Sequence, residues 1–323
     1  MTSASQDTNG ASGRSACQVS VLIATRDRAA SLERTLASLA RQVAPGLAWE
    51  LVVVDNGSRD DTRLVLDRFA SALPLVVLSE PRAGKNRALN RALDTLRGEL
   101  FVFTDDDIVA APAWLANLVA ASLRWPEVAV FGGPIEPDFP PGTPDWVKAP
   151  AFVLASEAFG RRSAEAEGPS DRFPFGANLA IRARIFEGLR FDEAIGPGSA
   201  VSYAQGSEYE LLTRLHRRGE RFVHVPDAAV RHVILPHQVE LDWLYARAER
   251  IGRGSARIKR KRVPKSVLGW IPLFLNLGLA RWRAQRARKL EPPERFRIAQ
   301  RVHYWRGYIA ESRILRSDQT GVG

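Results

Sequence analysis

The sequence predicts an α/β fold with a mostly parallel central sheet flanked by helices, and two observations carry that prediction. Between residues 19 and 110, short apolar runs rich in β-branched residues alternate with segments of helical spacing. One of these runs, Phe101-Val-Phe-Thr104, ends in three consecutive carboxylates, Asp105, Asp106 and Asp107. A run apolar on both faces reads as a buried strand of a parallel sheet, and such sheets bind ligands just beyond the carboxyl ends of their strands.

The elements follow in order. Val19-Ser-Val-Leu-Ile-Ala-Thr25 is the first strand, and Leu32, Leu36 and Leu39 behind it have helical spacing. Glu50-Leu-Val-Val-Val-Asp55 is the second strand, closed by the turn signal Asn56-Gly57-Ser58. Leu75–Leu78 reads as a third strand, Lys85–Leu96 as a helix and Phe101–Thr104 as the next strand. Six prolines and three glycines between residues 132 and 150 predict a loop over the sheet, and residues 156–172 read as a flexible connection. Ser207-Glu208-Tyr209-Glu210 opens a helix bearing Leu211, Leu212 and Leu215, ended by Gly219, before a strand at Phe222–Val225. Ser207 and Glu210 have capping-box spacing, which puts Glu208 in the first turn, where the helix dipole favours an ionised carboxylate.

Along an extended segment, Asp105 and Asp107 fall on one face and Asp106 on the other. Two carboxylates on one face attract a hard divalent cation of the kind commonly completed by substrate phosphates. Neither a Gly-x-Gly-x-x-Gly after the first strand nor a Walker lysine loop is present, which argues against dinucleotide and P-loop sites.

Composition narrows the classes. The single cysteine, Cys17, excludes an internal disulfide and any multi-cysteine metal site. The first 17 residues are small and polar and read as a disordered leader with no secretory signal, which predicts a cytoplasmic protein. The net charge is +10, yet residues 247–323 hold 20 Lys and Arg against five acids, leaving the first 246 residues at −5. The basic character therefore belongs to a C-terminal appendage. The expected organisation is a leader at 1–17, a catalytic domain at 18–245 and a basic, partly apolar helical extension at 246–323.

Six motifs occur in a fixed order: Val19–Thr25 with Arg28; Val52-Val-Val-Asp55-Asn-Gly-Ser58; Gly84-Lys85-Asn86-Arg87-Ala88-Leu89-Asn90; the Asp triplet; Gly206-Ser-Glu208-Tyr-Glu-Leu211; and Val230-Arg-His232. Together they resemble the family 2 glycosyltransferases, inverting enzymes of the GT-A fold, over roughly residues 18–255. The resemblance implies a nucleotide-diphosphate sugar as donor, a Mg2+ or Mn2+ ion, and a carbohydrate or lipid-linked acceptor. It places Thr25, Arg28 and Asp55 at the nucleotide, with Asp55 accepting from the base or ribose. Lys85 or Arg87 contacts the diphosphate, and Asn90 and Asp106 are grouped with the donor-binding residues. The family's Asp-x-Asp signature maps onto Asp105 and Asp107. Asp107 is the direct metal ligand, Asp105 lies near ribose or metal, and His232 is a further metal contact, with His237 as its substitute. Glu208 stands where the family has the base that deprotonates the acceptor, although Ser207 replaces the usual acidic neighbour. Phe173-Pro-Phe-Gly-Ala-Asn178 resembles the loop on the acceptor side. Trp146 and Trp243 are either acceptor platforms or core.

Arg247–Lys265 carries nine basic residues and one Glu, followed by the apolar stretch Ser266–Ala280. That stretch is shorter than the ~20 residues a spanning helix needs and is interrupted by Pro272, so residues 247–289 suit an interfacial helix on an anionic membrane surface. No nucleic-acid recognition motif accompanies the charge. Two rivals remain: a nucleotidyltransferase, which would need a basic Gly-rich loop after the first strand, and a catalytically silent sugar-nucleotide-binding protein on the same scaffold.

Overall fold

The computed structural model describes residues 17–156, 158–161, 165–198, 202–259, 264, 266 and 268–320. Apart from Cys17, the leader expected from the sequence lies outside the described residues, as do parts of the 156–172 connection and of the basic run before residue 266. The chain forms β1 (Val19–Thr25), α1 (Ala29–Leu39), β2 (Trp49–Asp55), α2 (Thr62–Phe69), β3 (Leu75–Ser79), α3 (Lys85–Leu93), β4 (Leu100–Thr104) and β5 (Ile108–Ala110). There follow α4 (Trp114–Arg124), β6 (Val130–Gly132), β7 (Ile135–Asp138), α5 (Asp145–Lys148), α6 (Pro150–Ser156), β8 (Gly168–Pro169) and β9 (Leu179–Arg182). The chain continues with α7 (Ser207–Arg217), β10 (Phe222–His224), β11 (Val230–Val233), α8 (Leu241–Ile258), α9 (Ile271–Arg286) and α10 (Pro292–Thr320).

The central sheet has the order β3-β2-β1-β4-β9-β6-β10-β8. β1 to β4 run parallel, β9 is antiparallel to both β4 and β6, and β10 is parallel to β6. Alternation along the inner strands divides the core into two layers. Val21, Ile23, Leu51, Val53 and Val102 pack on Leu32, Leu36, Val65, Trp114 and Leu118. Leu22, Val52, Val54, Phe101 and Phe103 face Ala88, Leu89, Leu211 and Leu215. Strands buried on both faces need apolar residues at every position, which is why β1, β2 and β4 were visible as uninterrupted runs.

The order 3-2-1-4 sets the place of the site. The chain runs outward from β1 to β2 and β3, then returns to lay β4 against the other side of β1. A crevice opens at such a reversal, beyond the carboxyl ends of β1 and β4. Register pairs Ile23 with Thr104, so Thr25 and the Asp triplet leave the sheet side by side.

A second sheet, β5-β11-β7, takes its strand β7 from the 132–150 segment, where sequence alone predicted only a loop. In its antiparallel pair, His232 lies opposite Ile108, and the Val233 amide donates to the Asp107 carbonyl at 2.8 Å. That pairing carries His232 to Asp107 across more than a hundred residues of chain.

The C-terminal region is helical, as expected, but α8 begins at Leu241 and runs across the boundary drawn at 245. The Gln205 amide donates to the Arg250 carbonyl at 3.0 Å, tying α8 to the segment before α7. α10 packs closely on α8: a Cβ on Gly252 would lie 2.0 Å from the Tyr304 carbonyl oxygen, and one on Gly307 2.0 Å from that of Glu249. Between these helices Arg253 and Arg257 hold the buried Glu311 at 3.1 and 2.6 Å.

Candidate active site

The triplet lies in the turn after β4 and is not an extended continuation of the strand. The expected alternation therefore fails, and the three carboxylates divide differently. Asp106 and Asp107 share Arg28, with Nε 3.2 Å from Asp106 and Nη2 donating to Asp107 at 2.7 Å. Asp105 turns the other way, to Lys85 Nζ at 2.6 Å. Thr25 donates from its hydroxyl to Asp106 at 2.6 Å. Asp106 is thus a buried clamp that fixes Thr25 and Arg28.

His232 Nε2 stands 3.5 Å from Asp107 Oδ2, and both side chains are largely buried. Burial opposes ionisation of Asp107, but His232 and Arg28 outweigh it and hold its carboxyl well below the usual range. Burial likewise pulls the His232 imidazole down, and Asp107 more than compensates, so its pKa is raised. Burial pushes Asp106 up to about 6 against the pull of Arg28, with Asp107 adding to the rise.

Lys85 is the hinge of the site. At the first position of α3, its ammonium bridges Asp105 and Glu208 Oε1, the latter at 2.8 Å. Burial penalises this charge, yet the two carboxylates more than offset it and raise its pKa. Glu208 responds in the opposite sense: burial raises its pKa, Lys85 lowers it further, and the carboxyl is ionised. The capping box expected at α7 is absent. Gly206, at φ +121°, takes the N-cap position, no side chain caps the helix, and Glu210 pairs with Arg214 one turn on. Glu208 nevertheless occupies the first turn, as predicted.

Two cavities meet at this ion pair. One, of about 220 Å3, is lined by Thr25, Arg28, Asn56, Lys85 and the triplet. The other, of about 660 Å3, is lined by residues 171–176, Glu208 and Tyr209 among others. Gly176 presses its backbone on Glu208, so a Cβ there would lie 2.5 Å from the Glu208 carboxyl carbon. The glycine of the Phe173–Asn178 segment thus makes room for the carboxylate.

Other expected residues are placed elsewhere. Asp55 accepts from the Ser58 amide at 2.8 Å, holding the Asn-Gly turn at the end of β2. Asn90 is not brought to the site: its amide donates to the Phe191 carbonyl at 3.0 Å and accepts from the Phe191 amide at 2.9 Å. Arg87 pairs with Glu193. Trp146 and Trp243 join an apolar cluster with Val147, Phe152 and Phe296, and His237 faces Trp243. Asn56, which the sequence marked only as a turn residue, lines the smaller cavity and bonds the backbone at Glu80, Arg82 and Gly84. Asn178 is a buried tie between Trp114, Pro134 and Ala228.

The profile of glycosyl transferase family 2 matches residues 20–190, more than half of the chain. The chain belongs to glycosyl transferase family 2. A glucosyl-dolichyl phosphate glucuronosyltransferase of Haloferax volcanii is 25% identical over 239 residues, covering 72% of this chain and 74% of the relative. A validoxylamine A glucosyltransferase of Streptomyces hygroscopicus subsp. jinggangensis is 34% identical over 105 residues, covering 32% of this chain and 25% of its own length. Among solved structures, the mannosyltransferase PcManGT from Pyrobaculum calidifontis, in complex with GDP-Man and Mn2+, aligns with a TM-score of 0.54 at 21% identity. It covers 95% of this chain and 76% of its own. TarS 1–349 of S. aureus in complex with UDP aligns with a TM-score of 0.54 at 18% identity, covering 94% and 92%. The glycosyltransferase thus shares the GT-A fold, and its site sits at the switch point of that sheet.

The contact of Gly176 with Glu208 yields a direct expectation. In Gly176→Ala the added methyl displaces the Glu208 carboxylate from Lys85. Separating this largely buried ion pair leaves each charge without the other and costs about 1–3 kcal/mol of stability, as a urea melt will read. Transfer activity falls by about tenfold or more, since misplacement of a reacting group by ~1 Å costs up to ~100-fold.

Proposed function

We propose that this glycosyltransferase moves a sugar, with inversion, from a nucleoside diphosphate donor to a hydroxyl of a glycan or lipid-linked acceptor, using a divalent cation. The observation that carries the reading is the Lys85 bridge. It joins the strand-end carboxylates on one side of the cleft to a single ionised carboxylate, Glu208, on the other. One side suits a departing diphosphate and the other a hydroxyl about to lose its proton. Donors of this class fit what binds the structural neighbours, GDP-Man in PcManGT and UDP in TarS. A lipid-linked acceptor fits the name of the Haloferax relative, which acts on glucosyl-dolichyl phosphate.

Asp107 and His232 fit a resident cation. Their donor atoms stand 3.5 Å apart at a buried position, where a cation would take over the role that the His232 and Arg28 charges play beside Asp107. Among the described residues no group of three His, Cys, Asp or Glu side chains could hold an ion by itself. A two-donor set suits Mg2+ or Mn2+, which take most of their remaining ligands from water and substrate phosphates. When bound, the ion offsets negative charge that builds on the nucleoside diphosphate.

The chain's own residues do the rest. Arg28 and Lys85 present positive charge to the diphosphate, and Asp55 receives the base or ribose at the end of β2. Glu208 accepts the proton of the acceptor hydroxyl as its oxygen attacks the anomeric carbon from the face opposite the diphosphate. A new glycosidic C–O bond forms, the sugar–phosphate C–O bond breaks, and the nucleoside diphosphate leaves with the electron pair. Oxocarbenium character develops at that carbon in the transition state, as in other glycosyl chemistry.

The same reading includes an anionic membrane surface as partner, at the inner face of the membrane. No described helix is long and apolar enough to cross a membrane. α9, however, leaves Ile271, Phe274, Leu275, Leu279 and Trp282 exposed, with Leu275 67% accessible. Arg281, Arg283, Arg286, Arg288 and Lys289 follow at its C-terminal end, and Arg286 lies over the Trp282 ring at 4.1 Å. An exposed apolar face beside basic side chains suits insertion at headgroup depth, with each cation worth about 1 kcal/mol near anionic lipid.

Two measurements test these parts separately. Calorimetric titration with UDP, GDP and dTDP should reveal one nucleotide whose binding needs Mn2+ and weakens at least about tenfold in Asp107→Ala. Binding that is indifferent to both would remove the metal from the account. The intact protein should co-sediment with phosphatidylcholine vesicles containing phosphatidylserine, and the variant Leu275→Asp/Leu279→Asp should stay in solution. Absence of vesicle binding, or a dimer that the same variant dissolves, would assign α9 to a protein interface instead.

A further inference from the structure

The larger cavity, on the far side of Glu208 from the donor, has a charge pattern that the transfer reaction itself does not require. Arg161, Arg172 and Arg247 line it, arriving from three separate segments of the chain. Its carboxylates are Asp171 and Glu208, and Glu208 is already held by Lys85. Three arginines and two carboxylates thus line it, which leaves the lining with a net positive charge. The acidic partners of Arg161 and Arg172 are Glu136 at 3.6 Å and Glu165 at 3.2 Å, neither of which lines the cavity.

Arg161 is held there at a conformational cost. It has φ +99° and follows Gly160 at φ +96°, a left-handed pair that a residue with a side chain rarely joins. Gly160 is wedged on β7, where a Cβ would lie 2.6 Å from that of Ile135, so the turn has no room to relax that way. The Arg161 Nε faces Glu136 at 3.6 Å, which holds the side chain along the cavity wall. A strained backbone that sets an arginine beside a cavity is a feature that persists where a ligand uses it. At the cavity mouth the Tyr209 ring, 58% exposed, packs on Phe173 with centroids 5.3 Å apart, an aromatic surface for a sugar ring.

We propose that the acceptor carries an oxyanion, a phosphate or a carboxylate, next to the hydroxyl that receives the sugar, and that Arg161, Arg172 and Arg247 hold it. The inference deepens the transferase reading and rests on Glu208 marking the acceptor side. A guanidinium presents paired N–H donors that match two oxygens of such a group, whereas a neutral sugar offers its hydroxyls no comparable partner in this cluster. Binding of the anion orients the hydroxyl toward Glu208 and separates acceptors that bear the group from those that do not. The anion has two sources, the phosphate of a lipid carrier or an acidic group on the sugar, and their chemistry toward the arginines is the same.

The test uses the full chain saturated with whichever nucleotide it binds and three probes: octyl glucoside, octyl glucuronide and farnesyl phosphoryl glucose. At least one anionic probe should bind about tenfold or more tightly than octyl glucoside, the scale of one charge-assisted contact. The preference should collapse to within about twofold in Arg172→Gln/Arg247→Gln and largely survive in Arg172→Lys, with nucleotide affinity unchanged in both. The tighter of the two anionic probes names the source. Equal affinities for all three probes, or a preference that persists in the double variant, would overturn the proposal. A chain that binds no nucleotide yet still prefers the anionic probes would sink the donor-site reading and leave the anion site standing.

Discussion

The structure depends on how three adjacent carboxylates are packed where β4 leaves the sheet. Asp105, Asp106 and Asp107 repel one another at this spacing, and two of them are almost fully buried. Their burial is tolerable only because Arg28 from the end of β1, Lys85 from α3 and His232 from β11 close on them. Those partners come from segments far apart in the chain. The reversal of strand order brings the first close, the turn into α3 the second, and the small β5-β11-β7 sheet the third. The fold and the site are therefore one electrostatic arrangement, and under the proposed reading Arg28 and Lys85, which stabilise the triplet, also face the diphosphate.

Lys85 extends that arrangement to the acceptor side. Without it, Glu208 would be a half-buried carboxylate at the start of α7, raised by desolvation and less completely ionised. With it, the carboxylate is charged and positioned, while Gly176 leaves it just enough room. The larger cavity begins there and is lined by side chains on loops, α7 and α8, whereas the smaller one is built on strand ends.

Much of this was legible in the sequence for a physical reason. Strands buried on both faces cannot interrupt their apolar runs, so β1, β2 and β4 and the triplet after them stood out. The first turn of α7 was also visible, because a helix start restricts which residues fit. What stayed hidden depended on partners distant in sequence. Alternation predicted a shared face for Asp105 and Asp107, but the turn after β4 and the competing pulls of Arg28 and Lys85 decided otherwise. Asn90 carried the motif yet serves the backbone of Phe191, and Asn56 looked like a turn residue yet lines the crevice. The capping box failed because the helix starts one residue earlier, with Gly206 at the N-cap and Ser207 already inside it, and because Arg214 takes Glu210. The β5-β11-β7 sheet as a unit was hidden, since β7 lies among prolines, its strands are three and four residues long and their pairing is entirely non-local. The tail's helices were expected, but only the structure distinguishes α10, buried on α8, from α9, whose apolar side chains remain exposed.

The central claim is that Glu208 is the base for an acceptor bound opposite the strand-end carboxylates. It is tested most directly by comparing transfer by the parent and Glu208→Gln with the same donor and acceptor, alongside nucleotide affinity. The account predicts a fall in kcat of at least about 100-fold, the usual contribution of general base catalysis, with nucleotide affinity changed by less than about threefold. Transfer at near-parental rate in Glu208→Gln would contradict it and move the proton to another acceptor.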